Sequence, residues 1–321
     1  VEIMKSLCLT QYGSLDFFRM MELAEEVPGA QEIQIQVLAS ALNPSDFKVA
    51  LGEVKFLRGR RFPMTLGNDF SGVVSAIGEG VTDFRIGDSV FGFLPYGPFN
   101  QRGAFAQKLV VRTNWVARKA PNIPHTLAAA SATAGLTALQ ALRDIGKLKP
   151  GGRVLITGAS GGVGSAAIQV ALKLGASEVV VVGSGKGLDL AKKLGATSVI
   201  DRKSEDVFAA VSERFDIIFD AAAAYRWSQW KHKLQENGAY ITTLPSTAFA
   251  LDKVISFGTS SSTNFVSVKP KSDDLKILAG WLESGLTVPI DATVPISDIP
   301  QALARLQRGE VLGKIAVEAA F

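Results

Sequence analysis

Apolar and polar residues alternate along Ile33-Gln34-Ile35-Gln36-Val37, the two-residue period of a strand with one face in a core. Short β candidates follow at Val73-Val74, Ser89-Val90-Phe91 and Leu109-Val110-Val111, with glycine recurring at positions 67, 72, 78, 80, 87, 92, 97 and 103. Short strands with glycine at the reversals predict a tightly turned β-barrel over residues 1–125. After Pro121 and Pro124 the pattern changes to an alanine-rich helix over 127–142. Strands are then predicted at 154–157, 178–182, 198–200, 216–220, 239–243 and 265–268, and helices between them at 165–174, 186–194, 206–213 and 226–234. Such alternation predicts a doubly wound parallel sheet with helices on both faces, an α/β domain over 126–271. The tail, 272–321, carries helices at 273–282 and 299–307 and a strand at 314–318; the serine-rich stretch 260–263 reads as a loop.

Composition narrows the classes. Of 321 residues, 47% are hydrophobic and 20% charged, which excludes wholesale disorder, collagen-like repeats and a coiled coil. Lys and Arg number 34 against 30 Asp and Glu, a formal charge of +4. That scattered excess gives no support for nucleic acid as a partner. The uncharged run over 154–172 has the length of a membrane span, but Gly158, Gly161, Gly162 and Gly164 interrupt it where a strand pattern gives way to a helix pattern. No membrane span is expected, and any membrane association would be peripheral. No basic-then-apolar leader opens the sequence, so the expected location is cytoplasmic, or an organelle if a targeting segment precedes the first residue. Cys8 is the one cysteine, which leaves no intramolecular disulfide and no multi-cysteine metal site. Of the two histidines, His125 reads as a helix-boundary residue and His232 as solvated.

The stretch Val154-Leu155-Ile156-Thr157-Gly158-Ala159-Ser160-Gly161-Gly162-Val163-Gly164 reads as strand, glycine-rich turn and helix start. That arrangement offers backbone N–H groups and the positive end of a helix dipole to a pyrophosphate. Against the G-x-G-x-x-G fingerprint, Ala159 replaces the first glycine while Gly161 and Gly164 keep the second and third. The expected cofactor contacts are Ser160, Gly161, Gly162, Val163 and Gly164. An NAD-preferring site places a carboxylate about 20 residues further on; here the stretch is Val181-Val182-Gly183-Ser184-Gly185-Lys186, with none. Ser184 and Lys186 can donate to a 2′-phosphate, and Arg202 can reach it or stack on the adenine. NADPH is therefore expected rather than NADH.

Further motifs carry a family resemblance: Leu42-Asn43-Pro44-Ser45-Asp46; Leu66-Gly67-Asn68-Asp69-Phe70-Ser71-Gly72-Val73-Val74; Gly87-Asp88-Ser89-Val90; Thr133-Ala134-Gly135-Leu136-Thr137; and Gly313-Lys314-Ile315. Together with the glycine turn, and in this order, they resemble the medium-chain dehydrogenase/reductase superfamily. Within it they are similar to the zinc-independent quinone oxidoreductase branch, which includes the chloroplast envelope quinone oxidoreductase homologues and alkenal/enone reductases. The resemblance implies a GroES-like β-barrel, formed by residues 1–125 and 272–321, with a Rossmann domain inserted between. Where zinc-dependent relatives carry a cysteine and a Gly-His-Glu, this chain has Asn43 and Gly67-Asn68-Asp69, and Asn is a poor zinc ligand beside thiolate and imidazole.

Without a Lewis acid, the reaction expected is hydride delivery from NADPH to a small apolar quinone or enone, whose developing oxyanion takes hydrogen bonds. By resemblance Asn43 orients the acceptor carbonyl or the nicotinamide ribose. Lys48 can stabilise an enolate or relay a proton, or be a surface lysine on a turn, and Asp46 reads as a structural acceptor. Thr133, Ala221, Thr243 and Lys314 resemble cofactor contacts. The aromatic stretch Phe91–Tyr96 is either a substrate wall or core. A homodimer through the edge strand near 265–268 is implied by resemblance. Two other readings stay open, a non-catalytic NADPH-binding protein of crystallin-like or regulatory kind and a zinc-type alcohol dehydrogenase.

Overall fold

The chain, a computed structural model in which residues 2–98 and 101–321 are described, begins with β1 (Ile3–Leu9) paired antiparallel with β2 (Phe18–Ala24). The alternating stretch forms β3 (Glu32–Ala41), and its apolar residues Ile33, Ile35 and Val37 are buried as the period of two requires. Asn43 caps α1 (Pro44–Ala50), where proline at the first turn loses no helical hydrogen bond. Strands β4 (Met64–Thr65), β5 (Asp69–Ile77), β6 (Ser89–Phe93), β7 (Lys108–Arg112) and β8 (Val116–Arg118) follow. β3 pairs with both β5 and β7, and shifts register twice against β5, as bulges do where a strand bends round a barrel wall. Ile33, Ile35, Phe70, Val74, Val90 and Val111 meet in the interior.

The parallel sheet lies in a second compact unit, Ala134–Val268. After α2 (His125–Leu139) it runs β9 (Arg153–Thr157), α3 (Gly162–Lys173), β10 (Glu178–Gly183), α4 (Lys186–Lys193), β11 (Ser198–Asp201), α5 (Val207–Ala210), β12 (Phe215–Asp220), α6 (Trp227–Trp230), β13 (Leu234–Thr242), α7 (Thr247–Ile255) and β14 (Ser262–Phe265). The strand order β11-β10-β9-β12-β13-β14 is the 3-2-1-4-5-6 order of a dinucleotide-binding sheet. Val154, Leu155 and Ile156 of the central strand are fully buried. The structure departs from expectation at four places. The helix expected over 206–213 is the single turn α5. The one expected over 226–234 is the single turn α6 followed by a 3-10 turn, Lys231–Lys233; here Phe208 and Trp230 each meet Tyr225 edge on face and each other at a tilt, and packing of aromatics replaces a regular helix face. The last strand is Ser262–Phe265 rather than 265–268, so part of the serine-rich stretch is strand and not loop. Its backbone pairs with β13 while its polar side chains hide it from a hydrophobic pattern.

Beyond Lys269 the chain rejoins the first unit with α8 (Ser272–Glu283), β15 (Ile290–Pro295), α9 (Ile299–Gln307) and β16 (Lys314–Glu318). β16 pairs antiparallel with β3, Ala316 against Ala41. This places Lys314, the first residue of β16, beside the end of β3 and the cap of α1. The α/β architecture is therefore a barrel with a doubly wound sheet inserted in its sequence. Among the described residues no helix is long and apolar enough to cross a membrane.

Candidate active site

Asp69 opens β5 and is fully buried. Its carboxylate gathers donors from three distant stretches of chain. The Asn43 side-chain amide donates to Oδ2 at 2.9 Å and the Lys314 ammonium to the same oxygen at 3.0 Å. The Thr133 backbone N–H donates to Oδ1 at 2.8 Å, and the Thr133 hydroxyl donates to it as well. Lys314 also donates to Asn43 Oδ1 at 2.6 Å. A buried ion pair gains from its Coulomb attraction when further hydrogen bonds satisfy the remaining groups, and this one is so satisfied. Asn43, Thr133 and Lys314, named separately from the sequence, thus form one cluster around Asp69, which stood out in the sequence only within a family motif and at a position where relatives bind zinc. The signal that could have found Asp69 was a carboxylate set into the apolar run that becomes β5, since such a charge must be paired.

Asp46 accepts the Asn43 backbone N–H at 2.7 Å, the structural role expected of it. Burial pushes its carboxyl up to about 6, opposed by that bond and by Lys314. Lys48, half-buried on the same helix, accepts the Glu53 N–H at its backbone carbonyl at 2.9 Å, but its ammonium makes no hydrogen bond or ion pair among the described residues. In the aromatic stretch Phe91, Phe93 and Leu94 are core, while Tyr96 places its hydroxyl 3.0 Å from Ser45 Oγ. His125 opens α2 with Nδ1 2.7 Å from Ser71 Oγ. Burial, then the Lys119 charge, lowers its pKa to about 4, so it is neutral at pH 7. His232 is exposed.

In the parallel unit the glycine turn divides its tasks differently from the fingerprint. Gly158 takes the left-handed conformation, φ +76°, so the turn glycine stands one place before Ala159. A Cβ on Gly164 would lie 2.2 Å from Gly158 O, so that glycine lets α3 pack on the turn. Gly161, the cap of α3, has ordinary extended backbone, and a Cβ there would meet just Gly158 O at 3.6 Å. The space before it is open, and a pyrophosphate fits there with the N-terminal N–H groups of a 12-residue helix behind it. Gly162 and Val163, both half-buried, form the helix start. A Cβ on Gly187 would lie 3.0 Å from Ser160 Cβ, so the turn touches the head of α4. Beside it stand half-buried Ser184 and exposed Lys186. Exposed Arg202 is tied to the end of β10 by its N–H on Gly183 O at 3.0 Å. Two further expected contacts also meet, Thr243 Oγ1 donating to Ala221 O at 3.2 Å.

A second buried carboxylate was also missed. Asp220, at the end of β12, accepts from Thr157 Oγ1 at 2.5 Å, Tyr240 OH at 2.7 Å, and the N–H groups of Tyr225 at 2.8 Å and Ala224 at 3.2 Å. It sets the course of the loop that follows Ala221. These residues gather at the carboxyl ends of the strands, where open α/β sheets bind ligands.

The donors around Asp69 do not fit a zinc ion. Zinc needs thiolate, imidazole or carboxylate donors at about 2.0–2.3 Å. Here the oxygens of Asn43 and Asp69 already share the Lys314 ammonium, and Asn68 donates its amide to Leu94 O at 2.7 Å. No group of three or more His, Cys, Asp or Glu among the described residues is arranged to hold a metal.

Comparison with known proteins accords with this arrangement. Residues 29–122 match the family described as Alcohol dehydrogenase GroES-like domain, and residues 194–317 the family described as Zinc-binding dehydrogenase. The chain is 30% identical over 318 residues to the quinone-oxidoreductase homolog, chloroplastic, of Spinacia oleracea, covering 95% of each chain. It is 33% identical over 324 residues to the 2-methylene-furan-3-one reductase of Solanum lycopersicum, covering 98% of this chain and 79% of that one. The solved quinone oxidoreductase from Coxiella burnetii matches it with a TM-score of 0.87 at 26% identity, over 99% of both chains. The chain belongs to the quinone oxidoreductase branch of the medium-chain dehydrogenase/reductase superfamily, oxidoreductases that take a nicotinamide dinucleotide.

Proposed function

We propose that the protein uses NADPH, without a metal, to reduce quinones and the activated C=C bond of α,β-unsaturated ketones and aldehydes. The observation that carries this reading is the Lys314 ammonium held between Asn43 Oδ1 and Asp69 Oδ2, a fixed cation where a zinc chemistry would need open ligands. An acceptor that is already electrophilic needs no Lewis acid, and N–H donors suffice for the charge that develops on its oxygen. Bound NADPH supplies the hydride, and a proton from water completes the saturated ketone or the quinol.

In this reading Asn43 and Lys314 direct N–H bonds at the acceptor oxygen, Lys48 is a second cation for an enolate, and Thr133, Ala221 and Thr243 contact the nicotinamide end of the cofactor. Ser160, Gly161, Gly162, Val163 and Gly164 hold the pyrophosphate; Ser184, Lys186 and Arg202 hold the 2′-phosphate. Relatives named for quinones and for 2-methylene-furan-3-one, a ketone conjugated with its methylene, support both acceptor classes. The test is NADPH consumption by chelator-treated protein with a panel of quinones and enones. Turnover indifferent to the chelator is expected; no turnover of any member, or turnover restored by zinc, contradicts the proposal.

A further inference from the structure

We infer that Asp69 is the positioning residue of this site, setting the hydrogen-bond polarity with which Asn43 and Lys314 meet an acceptor oxygen. The inference rests on the reduction proposed above. Asp69 has no exposed surface, whereas the Asn43 residue keeps 6% and the Lys314 side chain 5%, so a bound molecule cannot touch the carboxylate directly. Asp69 therefore acts through them.

The polarity follows from which atoms are already engaged. An amide side chain can turn end for end, exchanging a donor for an acceptor. The Asp69 carboxylate accepts and cannot donate, so it holds the Nδ2 end of Asn43, at 2.9 Å. Lys314 donates and cannot accept, so it holds the Oδ1 end, at 2.6 Å. Both partners favour the same orientation, and each is locked to the other by the 3.0 Å bond between Lys314 and Asp69. Of two amide protons on Asn43 one is committed to Asp69, and of three on Lys314 one goes to each partner. One N–H on each side chain remains beyond these bonds, and both are donors. The exposed fringe of the cluster thus suits an oxygen gaining negative charge and is mismatched to a group that donates. The Ser40 hydroxyl, donating to the Asp69 carbonyl oxygen at 2.7 Å, fixes the backbone that carries the carboxylate.

Asp69→Asn removes this bias, because the new amide can donate to neighbours that also donate. With NADPH and an enone, kcat should fall about 100-fold, the scale of losing an oxyanion donor, while the KM for NADPH changes less than about threefold because the phosphate contacts lie elsewhere in the chain. A merely structural role would move both constants with the melting temperature. The second measurement needs no variant. In nitrogen-15 correlation spectra of the wild-type protein, NADP⁺ with the saturated ketone cyclohexanone should shift both the Lys314 ammonium and the Asn43 side-chain amide signals. Wild-type kcat in a folded Asp69→Asn protein, or absence of both shifts, overturns the inference. Ketone-induced shifts in a protein that turns over no quinone or enone would instead uphold the donor arrangement and overturn the reduction.

Discussion

Lys186 stands exposed at the head of α4, with no carboxylate in the stretch 181–185 before it, so its loss should register on the cofactor and not on the fold. A charge-assisted hydrogen bond contributes roughly 1.5–3 kcal/mol. Lys186→Ala is expected to weaken NADPH binding about tenfold or more and leave NADH binding unchanged, as read by fluorescence titration; equal loss for both cofactors would remove Lys186 from the 2′-phosphate. Asp46 predicts a pH effect. Its folded pKa, about 6, lies above the unfolded value, so the folded state holds the proton more tightly and protonation favours folding. That contribution is complete below about pH 4 and is lost as pH rises through 6, a difference of about 3 kcal/mol. Asp46→Asn can still accept the Asn43 N–H, so it should be more stable than wild type at pH 8 and vary less between pH 5 and 8 in urea unfolding. A variant less stable at pH 8 would give the effect the opposite sign. At this scale the sequence marked Asn43 and Lys314 because they sit in recognisable motifs. Asp69 and Asp220 escaped because a lone carboxylate in an apolar strand shows that a partner must exist without showing which.

Two glycines of one turn give opposite expectations at the level of the element. Gly161→Ala has room within the protein, so the melting temperature should hold while NADPH binding falls at least tenfold, because the methyl group fills the pyrophosphate space. Gly164→Ala drives its Cβ toward Gly158 O, 2.2 Å away, and should lower the melting temperature as well. Calorimetry with cofactor titration separates the two, and a Gly161→Ala protein that binds NADPH normally would move the phosphate elsewhere. Elements with a strong period were legible. β3, β9, β10, α9 and β16 formed where alternation or helical spacing demanded them. β14 begins before the expected strand because Ser262 and Thr263 contribute backbone pairing without hydrophobic signal. α5 and α6 shrank to single turns because aromatic packing, which is tertiary, overrides the local pattern.

The inserted arrangement was legible at the whole-molecule scale because the tail returns to helix and strand after the parallel sheet is complete, and β16 then pairs with β3. The pairing of two copies is a proposal of the same scale. Among the described residues β14 is an edge strand, and near it in sequence Leu251, Val254 and Phe257 are exposed at 54%, 74% and 92%. An unpaired edge beside exposed apolar side chains favours a two-fold partner. Light scattering should give twice the 34.0 kDa chain mass, and Val254→Lys should halve it; a monomeric wild-type protein refutes the pairing. In the proposed reaction hydride reaches carbon conjugated to a carbonyl, and not the carbonyl carbon as in alcohol dehydrogenation. Reduction of an enone with NADPH deuterated at the transferring position tests it most directly. One deuterium on the β-carbon of a saturated ketone is the predicted result, and deuterium on the carbinol carbon of an allylic alcohol would contradict it.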